Sequence, residues 1–126
     1  MSNPVIKQVT ALNAVSDTTT SNAIEIVGAK KVTILGQRAN NGTGTSTFSV
    51  LVSIDGTNFV AYNRLITNVA NTNAQTHVRA ASFAIVNSNG YEFASLDLEQ
   101  ETFSHIQVKV TETTDGTHSA FVRIQY

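Results

Sequence analysis

Three histidines are the residues whose side chains could serve as metal ligands or acid–base groups at neutral pH. They are His77, His105 and His118. No H-x-H or H-x-x-E-H spacing occurs, so a zinc site would need histidines brought together from distant parts of the chain. We therefore expect all three to be exposed or to lie at the rim of the fold.

A short run of carboxylates is the second candidate. Asp97, Glu99 and Glu101 alternate, which would place three carboxylates on one side of an extended segment. Carboxylate oxygens are hard ligands that suit Ca²⁺. No ligand-rich glycine loop accompanies them, and the pattern is also typical of a solvated strand end with Leu96 and Leu98 facing the core. We favour the solvated strand end and predict neither a metal nor a cofactor.

Nucleophilic catalysis has no supporting motif. The chain contains no cysteine and no Gly-x-Ser-x-Gly, and no Ser/His/Asp set has recognisable spacing. Gly42 and Gly44 begin a Gly-x-Gly, but no third glycine follows and no helix is predicted after it, so a phosphate-binding loop is not indicated. We predict no catalytic residues and a protein that is not an enzyme.

Aromatic side chains bear on sugar binding, because exposed rings stack on the apolar faces of sugars. The chain has six Phe, three Tyr and no Trp. Phe48, Phe59 and Phe83 fall at positions expected to face inward. Tyr62 and Tyr91 could face solvent, but tyrosines at the edges of β-sandwiches are common, so a sugar site is not favoured.

Length and composition set the class of protein. The 126 residues are enough for one domain with its own core, spanning 1–126, with residues 1–4 a flexible N-terminal arm. The net charge is −1 and only 13% of residues are charged, so no basic surface for nucleic acid or membrane is predicted. Thr, Ser and Asn make up 40 residues, which suits β structure with polar turns and a surface covered by a partner.

Alternation of apolar and polar residues predicts the elements that would position these side chains. Its period of two recurs throughout, and helical periodicity is almost absent, although residues 96–103 could hold one helical turn. The fold predicted is a single-domain antiparallel β-sandwich, jelly-roll-like, with eight or nine strands. The expected strands are 5–12, 23–27, 31–38, 48–54, 59–62, 78–86, 91–98, 103–111 and 118–126, and the expected polar loops are 39–47 and 67–76.

Two hairpins are predicted in more detail. Asp55-Gly56 between alternating runs indicates a hairpin with a two- or four-residue loop that places the Phe48 face opposite the Phe59 face. Residues 103–111 and 118–126 are predicted to form a closing hairpin, with Ile106, Val108 and Val110 sharing a face with Val122, Ile124 and Tyr126. Its odd-length loop would hold Gly116 in the left-handed conformation and would place His118 beside Thr114.

The first hairpin also carries a resemblance to known families. Residues 48–62 read strand, Ser-x-Asp-Gly-Thr-x-aromatic, strand. This pattern is similar to hairpins of discoidin-like carbohydrate-binding modules and of small β-sandwich or jelly-roll proteins of tailed-phage virions, such as head decoration proteins. Residues 103–111 and 120–124 are similar to the closing strands of both groups, so the resemblance covers about a third of the chain.

Three features favour the phage group: the unprocessed Met-Ser-Asn start, the lack of Trp in a charge-poor single domain, and the absence of the longer N-terminal half of discoidin-like domains. The resemblance then implies a capsid decoration (cement) protein, made in the host cytoplasm and located on the virion surface. It further implies a homotrimer that binds the major capsid protein, with residues before Val5 and residues 17–22 as candidate arms. The alternatives are another virion component (neck, tail or fibre module) or a discoidin-like carbohydrate-binding module. The hairpin assigns no catalytic, cofactor-binding or metal-binding residue.

Overall fold

A computed structural model of the chain describes residues 5–68, 77–99, 101–113 and 116–126, which are entirely β-strands and connecting loops. These ranges hold no helix of the length and apolar character needed to cross a membrane. The predicted arm at residues 1–4 lies outside them. The strands are β1 Ile6–Val15, β2 Thr19–Thr20, β3 Ile24–Glu25, β4 Lys31–Ala39, β5 Thr45–Ser53, β6 Val60–Ala61, β7 Leu65–Asn68, β8 His77–Ala80, β9 Phe83–Val86, β10 Gly90–Ser95, β11 His105–Glu112 and β12 Thr117–Gln125.

These strands form two antiparallel sheets, and the predicted all-β sandwich is confirmed. Sheet A has the order β1-β12-β4-β10-β7-β8, and sheet B has the order β2-β11-β5-β6, with β3 pairing with β11 and β9 with β5. The described residues contain twelve strands rather than eight or nine. The three that were not predicted are β2, β7 and the second of the two strands formed by 78–86.

The core lies between the inner faces of β4 and β12 in sheet A and of β5 and β11 in sheet B. The alternating inward residues of these strands are almost fully buried: Val32, Ile34, Phe48, Val50, Val52, Ile106, Val108, Val110, Val122 and Ile124. Phe48 stacks on Phe83 with ring centroids 5.3 Å apart. Its ring also covers Gly36, where an added Cβ would lie 2.7 Å from the Phe48 ring. Gly36 is thus required by close packing between the sheets.

The predicted closing hairpin is wrong. β11 pairs with β5, β2 and β3, whereas β12 pairs with β1 and β4 in the other sheet. The apolar faces of β11 and β12 are both buried as predicted, but they face each other across the core instead of lying side by side. Residues 114–115 of the predicted loop lie outside the described residues. A Cβ at Gly116 would lie 3.1 Å from Arg38 Nη2, so a packed side chain accounts for the glycine.

The hairpin within residues 48–62 is present, but its register differs from the prediction. Val52 pairs with Val60, and the six residues 54–59 connect β5 to β6 in place of a two- or four-residue loop. The Asp55 carboxylate accepts hydrogen bonds from the backbone N–H groups of Thr57 and Asn58, and these bonds hold the wider turn. Ile54 is consequently 79% exposed. Phe59 is half-buried instead of fully inward.

Other predicted segments are shorter or divided. The expected strand 78–86 changes sheets at residues 81–82, so that β8 joins sheet A and β9 joins sheet B. The polar loop predicted at 39–47 spans only 40–44. In the loop predicted at 67–76, residues 67–68 belong to β7 and the rest lies outside the described residues.

Two further expectations are corrected. Residues 17–22, a candidate arm, contain β2, which pairs with β11 and places Ser21 in a buried position. The Ser21 hydroxyl accepts a hydrogen bond from Val108 N–H, so this segment is packed onto sheet B. The helical turn considered for 96–103 is absent from the described part of that segment, which lacks regular structure.

Candidate functional site

Four polar side chains meet at one end of the sandwich, at inward positions where apolar residues would continue the core. Arg38 on β4 pairs across strands with His118 on β12, and Ser46 on β5 pairs with Glu112 on β11. One cross-strand pair therefore comes from each sheet. Arg38, Ser46 and His118 are at most 1% exposed. We call these four residues the buried polar network.

The network forms one continuous chain of hydrogen bonds. Arg38 Nη1–H donates to Ser46 Oγ at 2.8 Å, and Ser46 Oγ lies 2.7 Å from His118 Nδ1. His118 Nε2 lies 2.8 Å from Glu112 Oε2. A carboxylate only accepts, so Nε2 carries a proton. With the Nε2 proton directed at Glu112, Nδ1 accepts a hydrogen bond from the Ser46 hydroxyl, and each of the four side chains has a partner.

Arg38 extends this chain to the loop between β4 and β5. Its Nε–H donates to Asn41 O at 2.9 Å, and its Nη2–H donates to Thr43 O at 2.8 Å. A guanidinium with several acceptors can be buried because the hydrogen bonds offset much of its lost hydration. Arg38 thus ties the loop at 40–44 to the end of the core.

A serine, a histidine and an acidic residue in one hydrogen-bonded series invite comparison with serine hydrolases. In those enzymes serine contacts Nε2 of the histidine and the acid contacts Nδ1. Here the two ring nitrogens are exchanged. Ser46 and His118 are also fully buried, and Ser46 Oγ already accepts a bond from Arg38. A substrate carbonyl has no access to that oxygen, so the arrangement stabilises structure as it stands.

The histidines are not placed as expected. His118 is fully buried, contrary to the prediction of an exposed or rim position, because it lies on the inward face of β12 and is covered by Ser46 and Glu112 from the opposite sheet. His105 is half-buried on the outward side of β11, with Nδ1 2.9 Å from Ser104 Oγ. The side chain of His77 lies outside the described residues. Of the two histidines whose side chains are described, His105 faces away from the core and His118 faces into it, so the two do not form a joint site.

The alternating carboxylates do not form a ladder on one strand face. Asp97 Oδ2 lies 2.9 Å from Arg79 Nη1, and Glu101 forms an ion pair with Arg64. The Glu99 backbone N–H donates to Asp97 Oδ1 at 3.1 Å. In the described parts of the chain, no three His, Cys, Asp or Glu side chains are grouped so that they could hold a metal ion. Two of the three predicted carboxylates are thus engaged by arginines.

The two candidate sugar-stacking tyrosines have opposite environments. Tyr62 is a core residue, edge-on to Phe103 with centroids 5.7 Å apart, and its hydroxyl accepts a bond from Asp97 N–H at 3.0 Å. Tyr91 is 62% exposed on the outer face of sheet A. Phe93, two residues along β10, is 49% exposed on the same side. Sequence reasoning did not single out Phe93, although its alternation with Tyr91 was a usable signal.

The buried polar network was also missed, and part of it had a signal. Arg38 continues the inward even-numbered positions of Val32 and Ile34, and His118 shares its parity with Val122 and Ile124. That parity predicts inward side chains. Parity does not predict which strands of the opposite sheet lie over Arg38 and His118, so the contacts with Ser46 and Glu112 had no signal in the sequence.

Comparison with known proteins identifies a solved structure with a similar fold but no related sequence family. No protein-family model and no curated protein matches the chain. The crystal structure of SPBc2 prophage-derived protein YomS is similar to it, with a TM-score of 0.68 and 12% identity over 100% of this chain and 97% of that one. The structure of infectious bursal disease virus Gx strain aligns at a TM-score of 0.29 and 10% identity over 98% of this chain and 32% of that one, a score too low to carry an argument. The chain therefore shares its sandwich fold with a prophage-derived protein across nearly the full length of both.

Proposed function

We propose that this protein is a structural component of a bacteriophage virion and acts as a capsid decoration (cement) protein. The observation that carries the proposal is the end-to-end likeness of its fold to a prophage-derived protein. The hairpin at residues 48–62, which resembles those of phage head proteins, supports the same role. Function in this proposal resides in contacts with other virion proteins and not in a reaction.

The site geometry supports a binding role over a catalytic one. The Ser46–His118–Glu112 series has no room for substrate, and Asp97 and Glu101 are paired with arginines. The outer face of sheet A, in contrast, presents exposed Tyr91 and Phe93. Exposed rings on a rigid sheet can bury apolar area against a partner without a large ordering cost.

The low charge suits repeated placement on a shell. Each copy carries a net charge of only −1, so copies crowded on one capsid repel each other less than highly charged proteins would. A protein that binds the assembled lattice but not free subunits stabilises the shell by mass action. Several modest contacts per assembly then act together through their high effective concentration.

Co-sedimentation with heads of the phage that encodes the chain tests this function. The purified protein is mixed with expanded, DNA-free heads, with purified tails and with dissociated capsid subunits as the control lacking a lattice. We expect saturable binding to heads, little to free subunits, and a higher temperature of head disruption. Binding to tails alone would indicate the neck, tail or fibre alternative, and binding to neither would contradict a virion role.

A carbohydrate-binding function is the second candidate, and the exposed Tyr91 and Phe93 pair favours it. A glycan array would detect it, with Tyr91→Ala as the diagnostic variant. Tyr62→Ala is unsuitable because Tyr62 is part of the core. A glycan signal that Tyr91→Ala removes, together with no binding to heads, would favour this function over the capsid role.

A further inference from the structure

The longest strand at an open sheet edge is β1. It pairs with β12 on one side only, and the other described strands that pair on one side, β2, β3, β6, β8 and β9, have two or four residues each. β1 has ten residues, and its pairing is regular from Ile6 to Thr10, where a bulge begins. Edge strands are ordinarily short or covered, because their free backbone groups can pair with another chain. Among the described strands, β1 is therefore the edge most open to an added strand.

The hydrogen-bond pattern of β1 shows which of its backbone groups face the open edge. Tyr126 N–H donates to Val5 O, and in an antiparallel pair such bonded positions recur at every second residue. β12 therefore engages the backbone of the odd-numbered residues of β1 over this stretch. The N–H and C=O groups of Ile6, Gln8 and Thr10 point the other way, and no group in the described residues bonds to any of the six. These three donors and three acceptors match the backbone of an added strand.

The exposed charges on β1 and β12 are both positive. Lys7 pairs with the buried Ile124 and so projects from the inner side of sheet A, whereas Arg123 pairs with Gln8 and projects from the outer side. The two strands contain no Asp or Glu, and neither cation forms an ion pair within the described residues. A strand added to β1 would thus meet one exposed cation on each of its faces.

We propose that the edge of β1 binds an extended acidic segment of a partner protein, which adds a strand to sheet A. The backbone of the segment pairs with Ile6, Gln8 and Thr10, and two of its carboxylates meet Lys7 on one face and Arg123 on the other. Adjacent residues of a strand point to opposite faces, so this edge selects two consecutive acidic residues. In strand addition, main-chain bonds supply the affinity and side chains supply the specificity. The inference goes beyond the proposed virion role, because it holds for any partner that carries such a segment.

Charge argues against a second copy as the occupant of this edge. Two β1 strands that use all six outward groups pair antiparallel about Gln8, with Ile6 opposite Thr10. Lys7 then lies opposite Val9 of the other copy, and the two Lys7 side chains are diagonal neighbours on one face, where like charges repel. β1 has no carboxylate to offset them. A lysine on an edge strand opposes self-association in this way and still permits an acidic strand to bind.

Fluorescence anisotropy of a labelled synthetic peptide tests the proposal on the intact chain. The probe has about eight residues, within the usual length of a strand, with Thr and Val alternating around two adjacent glutamates at its centre. A peptide with two lysines in place of the glutamates is the charge control. We expect saturable binding of the glutamate peptide that weakens as salt is raised, and binding of the lysine peptide that is weaker by about 10-fold or more.

Two substitutions at Gln8 separate backbone pairing from side-chain contact. Gln8→Pro removes an N–H that the sheet itself does not use, and proline is tolerated at such edge positions. It should weaken binding of the glutamate peptide by about 10-fold or more, because one bond is lost and the ring obstructs its neighbours. Gln8→Ala keeps the N–H and should bind as the wild type does. Circular dichroism and melting verify that each variant is folded.

A charge reversal tests the specificity and does not depend on the folding of Gln8→Pro. Lys7→Glu should shift the preference between the two peptides about 10-fold toward the lysine peptide. Lys109→Glu, the same change on β11 in sheet B, should leave the preference unchanged. No binding of the glutamate peptide at about 1 mM, equal binding of both peptides, or full binding by folded Gln8→Pro would overturn the proposal. A dimer of the chain that Gln8→Pro disrupts would overturn the acidic occupant in favour of a second copy.

Discussion

Replacing Ser46 with alanine should destabilise the fold by more than its small change in volume suggests. Ser46 Oγ is fully buried and serves two partners, accepting from Arg38 Nη1 and contacting His118 Nδ1. Ser46→Ala removes both contacts at once. It leaves a space about the size of one atom, too small to admit a water molecule in its place.

The size of the effect follows from the groups left without a partner. A buried donor or acceptor that loses its hydrogen bond costs about 1–3 kcal/mol. Arg38 keeps its bonds to Asn41 and Thr43, and His118 keeps Glu112, so each loss is partial. We expect the free energy of unfolding to fall by about 2–4 kcal/mol, and the melting temperature by about 10 °C for a domain of this size.

Urea denaturation followed by far-ultraviolet circular dichroism measures this loss, with tyrosine fluorescence as a second probe because the chain has no Trp. Ser49→Ala is the control: Ser49 lies on the same strand but faces outward, where substitution should change stability by about 0.5 kcal/mol or less. Equal losses for the two variants would refute the interpretation of Ser46 as the junction of the network.

Three further predictions concern packing, a buried hydroxyl and pH. Gly36→Ala should lower the free energy of unfolding by about 1–3 kcal/mol, because its Cβ would lie 2.7 Å from the Phe48 ring; an unchanged midpoint in urea would contradict this. Tyr62→Phe should cost about 1–2 kcal/mol through loss of the hydroxyl bonds to Asp97, with no effect on any glycan binding. The backbone N–H of Asn58, followed by that of Thr57 and the side chains of Asn58 and Ser53, lowers the pKa of Asp55 well below its ordinary 3.8. The stabilisation from Asp55 is therefore complete above about pH 4 and is lost as pH falls through the folded-state pKa. The melting temperature of the wild type should exceed that of Asp55→Asn at pH 7, and the difference should shrink toward pH 2; a constant difference would argue against the carboxylate as its source.

Local alternation was sufficient to predict most individual strands. Val32 and Ile34 on β4, and Val122 and Ile124 on β12, have the inward positions that their spacing predicts. Successive side chains on a strand point to opposite faces, so this information is contained in a few consecutive residues. The all-β class and the apolar core positions could be predicted for that reason.

Strand partners could not be predicted in the same way. The apolar faces of β11 and β12 are buried whether the two strands pair side by side or face each other from opposite sheets. The structure has the second arrangement, since β11 pairs with β5 and β12 with β4. The change of sheet between β8 and β9 is equally invisible, because residues 78–86 read as one continuous strand.

The candidate site depended still more on tertiary structure. The sequence determined that Arg38 and His118 have inward parity, and that Tyr91 and Phe93 share one face of a strand. The tertiary structure alone placed Ser46 and Glu112 over the first pair, and Gln37 and Leu35 beside the second. Alternation specifies on which side of its own strand a residue lies, whereas contacts between strands depend on a choice of partners made by the whole core.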